Sequence, residues 1–329
     1  MLRYHLFILL SCIALRVYPQ SKAGITGKRD TSYTTYQAYL STKKTHPDIK
    51  IVEELAPGSV IELRNMRYSF YGQEMQDTLF LDAFLPYPKK IEKSIAIIIL
   101  HGGGWRTGDR SQHFPLAQRL AKLGYVCFTP QYRLSTEALY PAAVLDIKTA
   151  IQWVRVNAKA FNVDTSKIIV AGFSAGGELA AFMGATNGMN EFENPVYATN
   201  TSSWVQAVVD IDGILSFVHP ESGEGDDSKR TSAATYWFGY PKKENPELWK
   251  QASALTHVGK HSPPYLFLNS SVARMHAGRE DFIKELNKYG TYSEVHEFEG
   301  APHSFCLFDP WFEPTLKYID GFLKKVFKN

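Results

Sequence analysis

The chain has 329 residues, 44% of them hydrophobic and 21% charged, enough apolar material to bury a sizeable core and too little net charge for a disordered chain. Thirty-six Lys and Arg against thirty-three Asp and Glu leave a formal charge of +3, far from the concentrated basic field that nucleic-acid binding uses. Length alone suggests roughly two units at about 150 residues each, but α/β enzymes often reach this size as one.

Residues 1–23 read as an export signal. Met1-Leu2-Arg3 carries a positive charge, the stretch from Leu6 to Leu15 is apolar apart from Ser11, and Ser21-Lys22-Ala23 offers small residues at the two positions a signal peptidase inspects. The apolar stretch is too short to span a bilayer comfortably. In a second reading Leu9-Leu10-Ser11-Cys12 is a lipoprotein box, with Cys12 as the lipidated first residue and the apolar run continuing past it into Ile13 and Leu15. Either way the expected location is outside the cytoplasm, periplasmic or secreted. Cleavage near Ala23 is placed ahead of lipidation. With Cys12 set aside, Cys127 and Cys306 remain, too few for a disulfide framework.

Residues 24–58 are polar and irregular and are expected to lie as an extension against a domain spanning 59–329. Strand-like runs follow at 60–70 and 78–86 as an antiparallel pair, and Ser94-Ile-Ala-Ile-Ile-Ile-Leu100 reads as a parallel strand covered on both faces. A helix is expected at 111–123, a strand at 125–129, a long amphipathic helix at 142–160, a short buried strand at 168–171 and a small-residue helix from Ser174. Further strands are expected at 205–210, 265–269 and 294–298, with helices at 280–289 and 314–327. Strands alternating with helices imply an α/β fold with a mostly parallel central sheet and helices on both faces. Residues 214–262 interrupt the alternation as a Gly-, Ser- and aromatic-rich insertion, placed where substrate-contacting loops usually sit.

The most informative segment is Ile168-Ile-Val-Ala-Gly-Phe-Ser-Ala-Gly-Gly177, a buried strand running into Gly172-Phe173-Ser174-Ala175-Gly176 and then a helix. Glycines on both sides permit a tight strand-to-helix turn that exposes the central hydroxyl beside helix N–H groups. The bland alternative is a small-residue helix start chosen for packing. Directly after the strand ending at Leu100 comes His101-Gly102-Gly103-Gly104-Trp105. Its bare backbone can aim N–H groups at one point, as an oxyanion hole requires. Gly103 and Gly104 are the candidate donors with Ala175, and a phosphate cradle is disfavoured because no Lys-Ser/Thr and no G-x-G-x-x-G spacing follows. His303, in the Gly300-Ala-Pro-His-Ser-Phe305 loop before the terminal helix, is the candidate base for Ser174. His101 reads as structural. A Cys nucleophile is disfavoured, because neither Cys127 nor Cys306 stands on such a turn.

These segments, together with Tyr132-Arg-Leu134 and the helix from Asp146 to Trp153, resemble the α/β-hydrolase fold over about residues 60–327. The nearest variety is the bacterial esterases that remove acyl or methyl groups from plant cell-wall polysaccharides. Val209-Asp-Ile-Asp-Gly213 with His219-Pro-Glu-Ser222, and Asn269-Ser-Ser with His276-Ala-Gly-Arg279, are similar to the carbohydrate esterases that demethylate pectin. The resemblance implies a Ser-His-acid hydrolase with its acid soon after the seventh strand of the fold, yet Asn269-Ser-Ser-Val-Ala-Arg-Met-His276 holds no carboxylate. Asp212, ending the preceding strand beside Gly213, is the choice, with Asp210, Glu280 and Asp281 as rivals. Glu178 departs from the His found in many relatives and reads as a carboxylate of the surroundings or the surface.

The implied chemistry is ester hydrolysis without metal or organic cofactor. For a pectin-like substrate, Arg106, Arg274, His276 and Arg279 would supply cations, with Trp105 and Trp237 as sugar platforms; each also reads as an ordinary loop or surface residue. The alternatives are an acetyl or feruloyl esterase acting on xylan, and a non-catalytic carbohydrate-binding homologue that lost its acid. The expected partner is a polysaccharide ester; no protein partner and no nucleic acid are indicated.

Overall fold

Residues 20–72, 77–89, 91–194 and 201–328 are described by a computed structural model of the chain. The expected export signal falls outside them, apart from residues 20–23.

In chain order the strands are β1 (Lys50–Ile51), β2 (Ile61–Phe70), β3 (Thr78–Leu85), β4 (Ser94–Leu100), β5 (Val126–Pro130), β6 (Val163–Phe173), β7 (Ala207–Ile211), β8 (Tyr265–Asn269), β9 (Ser293–Glu297) and β10 (Phe308–Asp309). The main helices are α1 (Thr35–Thr42), α2 (Phe114–Lys122), α3 (Ala142–Val156), α4 (Ala158–Phe161), α5 (Ala175–Ala185), α6 (Ala233–Phe238), α7 (Pro246–Gln251), α8 (Arg279–Lys288) and α9 (Phe312–Phe327). Eight strands form one sheet in the order β2-β3-β5-β4-β6-β7-β8-β9. β3 runs antiparallel to β2 and β5, and every pairing from β5 onward through β4 to β9 is parallel. This is the α/β-hydrolase arrangement.

The period-2 geometry of a strand explains why β4 is an unbroken apolar run. Ile95, Ile97 and Ile99 face one core, formed with Leu116 and Leu120 of α2 and Ile319 and Phe322 of α9. Ala96, Ile98 and Leu100 face the other, formed with Ile147 and Ile151 of α3, Leu179 of α5 and Phe282 of α8. The sheet edges differ: β2 and β9 are half-exposed and carry charge, including Glu62, Arg64 and Arg67 on β2, which discourages further strand pairing.

The extension is more regular than its composition suggests. Thr34 Oγ1 caps α1 by accepting from the Gln37 N–H at 3.1 Å, and β1 pairs antiparallel with β10. Within the insertion at 214–262, Phe217, Trp237, Phe238 and Trp249 pack as a buried aromatic cluster that holds this layer over the carboxyl ends of the strands.

Candidate active site

The turn between β6 and α5 presents Ser174. Its backbone is held at φ 57° and ψ −120°, a conformation that costs a non-glycine residue energy and persists only when the surroundings enforce it. They do so by close approach. A Cβ on Gly172 would lie 2.0 Å from the Gly176 carbonyl oxygen, and one on Gly176 would lie 2.3 Å from that of Leu100. The Ser174 N–H donates to the Ile211 carbonyl at 2.8 Å, tying the turn to the end of β7.

The glycine loop after β4 is bent by Gly103 at φ 129°, Gly104 at φ 60° and Trp105 at φ 56°. Only glycine fits at 103, where a Cβ would meet the Thr107 carbonyl oxygen at 1.9 Å. Among the described residues no acceptor engages the N–H of Gly103 or Gly104, and both residues line one cavity with Ser174, Ala175 and His303. The loop is fixed from behind: the Gly102 N–H donates to Gln112 at 2.8 Å, and the Tyr132 hydroxyl donates to the His101 carbonyl at 2.7 Å. His101 Nδ1 donates to the Gly102 carbonyl at 2.8 Å. Burial holds this imidazole neutral, with its pKa lowered to about 4.

His303 Nε2 lies 2.8 Å from Ser174 Oγ, and Nδ1 lies 2.6 Å from Asp212 Oδ2. Asp212 is fully buried just beyond β7 at φ 56°. Its Oδ1 accepts from the Ser270 N–H at 2.8 Å and its Oδ2 from the Ser270 hydroxyl at 2.6 Å. Burial works to raise the Asp212 pKa, but His276, the hydrogen bonds from His303 and Ser270, and the charge on His303 prevail and bring it down to about 2. His276 Nε2 donates to the Ser270 carbonyl at 2.8 Å and stands 3.6 Å from Asp212 Oδ1, so it acts on the carboxylate as a nearby dipole. Ser270 and His276 belong to the loop that holds no acid. The loop serves the acid instead of supplying it.

The rival carboxylates sit elsewhere. Asp210 turns toward α5, accepting from the Gly213 N–H at 2.8 Å. Glu280 pairs with Arg279 at 2.7 Å and Asp281 with His219 at 3.5 Å. Both remaining cysteines are buried, and burial pushes their thiols up, away from the thiolate a nucleophile needs.

The cavity over Ser174 has a volume of 690 Å³ and is walled by the glycine loop, Tyr236 and residues 223–233 of the insertion, with Arg106, Arg230 and Arg274 on its lining. Not all of the expected substrate contacts reach this cavity. Arg279 does not reach this cavity, being tied to Glu280 and Glu297 at 2.7 Å each. His276 stands behind Asp212. Trp237 is wholly buried and offers no sugar platform, whereas Trp105, stacked on it at 5.1 Å and 4% exposed, lines the cavity. Glu178 is not a surface residue: it is buried, accepts from Trp105 Nε1 at 3.0 Å, and has its carboxyl pushed well above the usual range by burial, with the neighbouring Asp210 adding to the effect. Arg230, which sequence reasoning did not single out, lies in a loop whose position only the folded insertion defines.

A comparison with known proteins gives a match to the BD-FAE family model over residues 81–274. Esterase LipC of Mycobacterium tuberculosis is 30% identical over 86% of this chain and 73% of its own length. The probable carboxylic ester hydrolase LipM of the same organism is 28% identical over 63% of this chain, which spans about half (48%) of LipM. Among solved structures, a truncated carbohydrate esterase from gut microbiota superposes with TM-score 0.67 at 24% identity, covering 84% of this chain and 100% of that one, a likeness of fold. The propionate-bound esterase 2 of Thermogutta terrifontis gives 0.63 at 26% identity over 80% of this chain and 94% of its own.

Proposed function

We propose that this chain, which belongs to the BD-FAE family and is a carboxylic ester hydrolase, acts on esters of plant cell-wall polysaccharide, with methyl-esterified pectin as its first substrate. The observation that carries the proposal is the hydrogen-bonded line from Ser174 through His303 to Asp212, opening on a cavity lined by three arginines against two carboxylates, Glu224 and Asp226. In the proposed reaction His303 Nε2 takes the Ser174 proton as Oγ attacks the ester carbonyl. The N–H groups of Gly103, Gly104 and Ala175 hold the tetrahedral oxyanion, each donor being worth roughly 100- to 1,000-fold in rate. The imidazolium, supported by ionised Asp212, returns its proton to the departing methanol, and water then repeats the cycle on the acyl-enzyme.

Acetyl or feruloyl ester cleavage on xylan is the second reading, favoured by the ion pair between Arg274 and Glu224 at 3.7 Å, which reduces the cationic field of the cavity. The non-catalytic alternative rested on the bare loop after β8, and it loses that support because Asp212 stands beside His303 from the neighbouring strand end. The deciding experiment measures methanol from methylated pectin and acetate and ferulate from acylated xylan, with Ser174→Ala as control. Methanol alone supports the first reading, while acetate or ferulate alone moves the assignment to the second. Equal product from the alanine variant overturns both.

The export signal and its apolar stretch support a place in the periplasm or outside the cell. Gln20 Nε2 donates to the Phe238 carbonyl at 2.9 Å and the Ser21 N–H to the Gly239 carbonyl at 2.7 Å. Cleavage near Ala23, the first of the two processing readings, would remove those bonds, and lipidation at Cys12 would keep them.

A further inference from the structure

The cations near Ser174 are not equivalent. Arg274 is paired with Glu224, Arg279 is tied up outside the cavity, and Arg230 is exposed on the rim. Arg106 differs from all of them. It is half-buried, lines the cavity beside the candidate oxyanion loop, and among the described residues is in salt-bridge contact with no carboxylate, Asp30 feeling its charge only as the smallest of several influences.

Its guanidinium is nonetheless held in place. The carbon centre stands 4.2 Å over the Tyr236 ring, and one terminal nitrogen donates to the Gly24 carbonyl at 3.2 Å. Gly24 comes this near because it lacks a side chain: a Cβ would meet Tyr236 Cδ1 at 2.6 Å and the Arg106 guanidinium at 3.0 Å. The segment carrying Gly24 is fastened on both sides. The Ser21 N–H bonds to Gly239, the Thr26 N–H to Thr136, and the Gly108 N–H to Asp30, while the Tyr33 N–H donates to Thr107 Oγ1. A guanidinium has five N–H donors in a rigid fork, so one carbonyl and one ring face leave most of the fork free. A fixed fork with donors to spare fits a carboxylate bidentately.

We propose that Arg106 is the specificity-determining cation of the cavity, selecting esters that carry a second, ionised carboxylate, and that Gly24 and Tyr236 are the positioning residues that aim it. The proposal rests on the assignment of ester hydrolysis to the Ser174 cavity. It names the substrate class as acidic esters, and it makes residues 20–33 part of the specificity apparatus.

The test uses the full chain and two matched substrate pairs, monomethyl adipate against the neutral methyl adipamate, and partially against fully methyl-esterified trigalacturonate, with methanol release measured for all. Wild type should favour the ionised member of each pair. In Arg106→Gln the ratio of kcat/KM for ionised over neutral ester should fall about tenfold, the worth of a charge-assisted hydrogen bond, with the loss in KM. Gly24→Val and Tyr236→Leu should lower the same ratio several-fold, Tyr236→Phe should restore it because the ring face remains, and Arg279→Gln should leave it at the wild-type value. An unchanged ratio in Arg106→Gln, or a wild-type ratio at or below one, overturns the proposal. Equal losses on both members of a pair in the Gly24 and Tyr236 variants reveal a merely structural role and overturn the positioning claim. Methanol from the adipate pair with none from either trigalacturonate sinks the pectin reading alone; methanol from neither pair sinks both.

Discussion

Replacing Asp212 by Asn tests the candidate relay where its geometry is most specific. The carboxylate accepts three donors: the Ser270 N–H at 2.8 Å on Oδ1, and the Ser270 hydroxyl and His303 Nδ1–H, both at 2.6 Å, on Oδ2. An amide has one acceptor oxygen. The backbone N–H cannot rotate, so that oxygen takes the Oδ1 position and the NH₂ faces Ser270 Oγ and His303. The serine hydroxyl can turn and accept, and Asn tolerates the positive φ of 56° at 212 better than most residues, so the fold should survive. The imidazole can accept only by moving its proton to Nε2, the tautomer that cannot take the Ser174 proton. Loss of the orienting acid in such a relay costs on the order of 10⁴ in kcat, about 5.4 kcal/mol of barrier. The assay is kcat at saturating p-nitrophenyl acetate, with the melting temperature as a check on folding. A folded Asn variant retaining more than about a tenth of wild-type kcat would refute the assignment of Asp212 as the orienting acid.

Ser270→Ala removes the 2.6 Å hydroxyl bond to Asp212 Oδ2 and keeps the backbone bond, so kcat should fall about tenfold, the worth of one hydrogen bond to a charged acceptor; wild-type kcat would show the hydroxyl to be idle. Glu178 is a buried acid whose folded pKa is raised by burial, so its contribution to stability is full below the unfolded value near 4.3 and is lost as pH climbs toward the folded pKa. Glu178→Gln abolishes that loss. Its melting temperature relative to wild type should therefore rise from pH 4 to pH 8, by up to about 1.4 kcal/mol of stability per pH unit, and a flat difference contradicts a neutral buried carboxyl.

What could be read from the sequence is what local physics dictates. β4 after Ser94 and β8 before Asn269 are apolar runs because both their faces are covered, and the turn at Ser174 announces itself because no side chain fits at Gly172 or Gly176. β6 begins earlier than its apolar run: Val163 pairs with Ser94, and the polar residues 164–167 lie in an irregularity of the ladder before Ile168 meets Ala96. α1 does not show in the sequence because residues 24–58 are polar and carry few periodic runs; its cap and its docking, including Thr42 Oγ1 to Ser304 Oγ at 2.8 Å, decide the matter. The services of Ser270 and His276 to Asp212 leave no trace in sequence, as they depend on two strand ends meeting. The burial of Trp105 is not legible because a loop residue has no period from which to read its direction, and that of Glu178 and Trp237 because α5 is apolar all round and α6 is only six residues long.

The displaced acid has a geometric explanation that makes a further prediction. β7 and β8 are adjacent and parallel with Ile211 opposite Leu268, and the Asp212 N–H donates to the Leu268 carbonyl at 2.9 Å. The two strands end side by side, about 4.8 Å apart, close to the reach of one carboxylate side chain. The acid after either strand can therefore address the same Nδ1, provided the other loop supplies a hydroxyl to steady it. Exchanging the roles should preserve chemistry in part. Ser270→Asp combined with Asp212→Asn places a carboxylate where the Ser270 hydroxyl now meets Oδ2, and lets the Asn amide donate to it instead of to His303. kcat of the double variant should exceed that of Asp212→Asn by about tenfold or more, one pKa unit's worth of charge interaction. A double variant that folds and is no faster than the single one shows that only the end of β7 can hold the acid, and that the placement after β7 is required by the histidine loop and is not interchangeable.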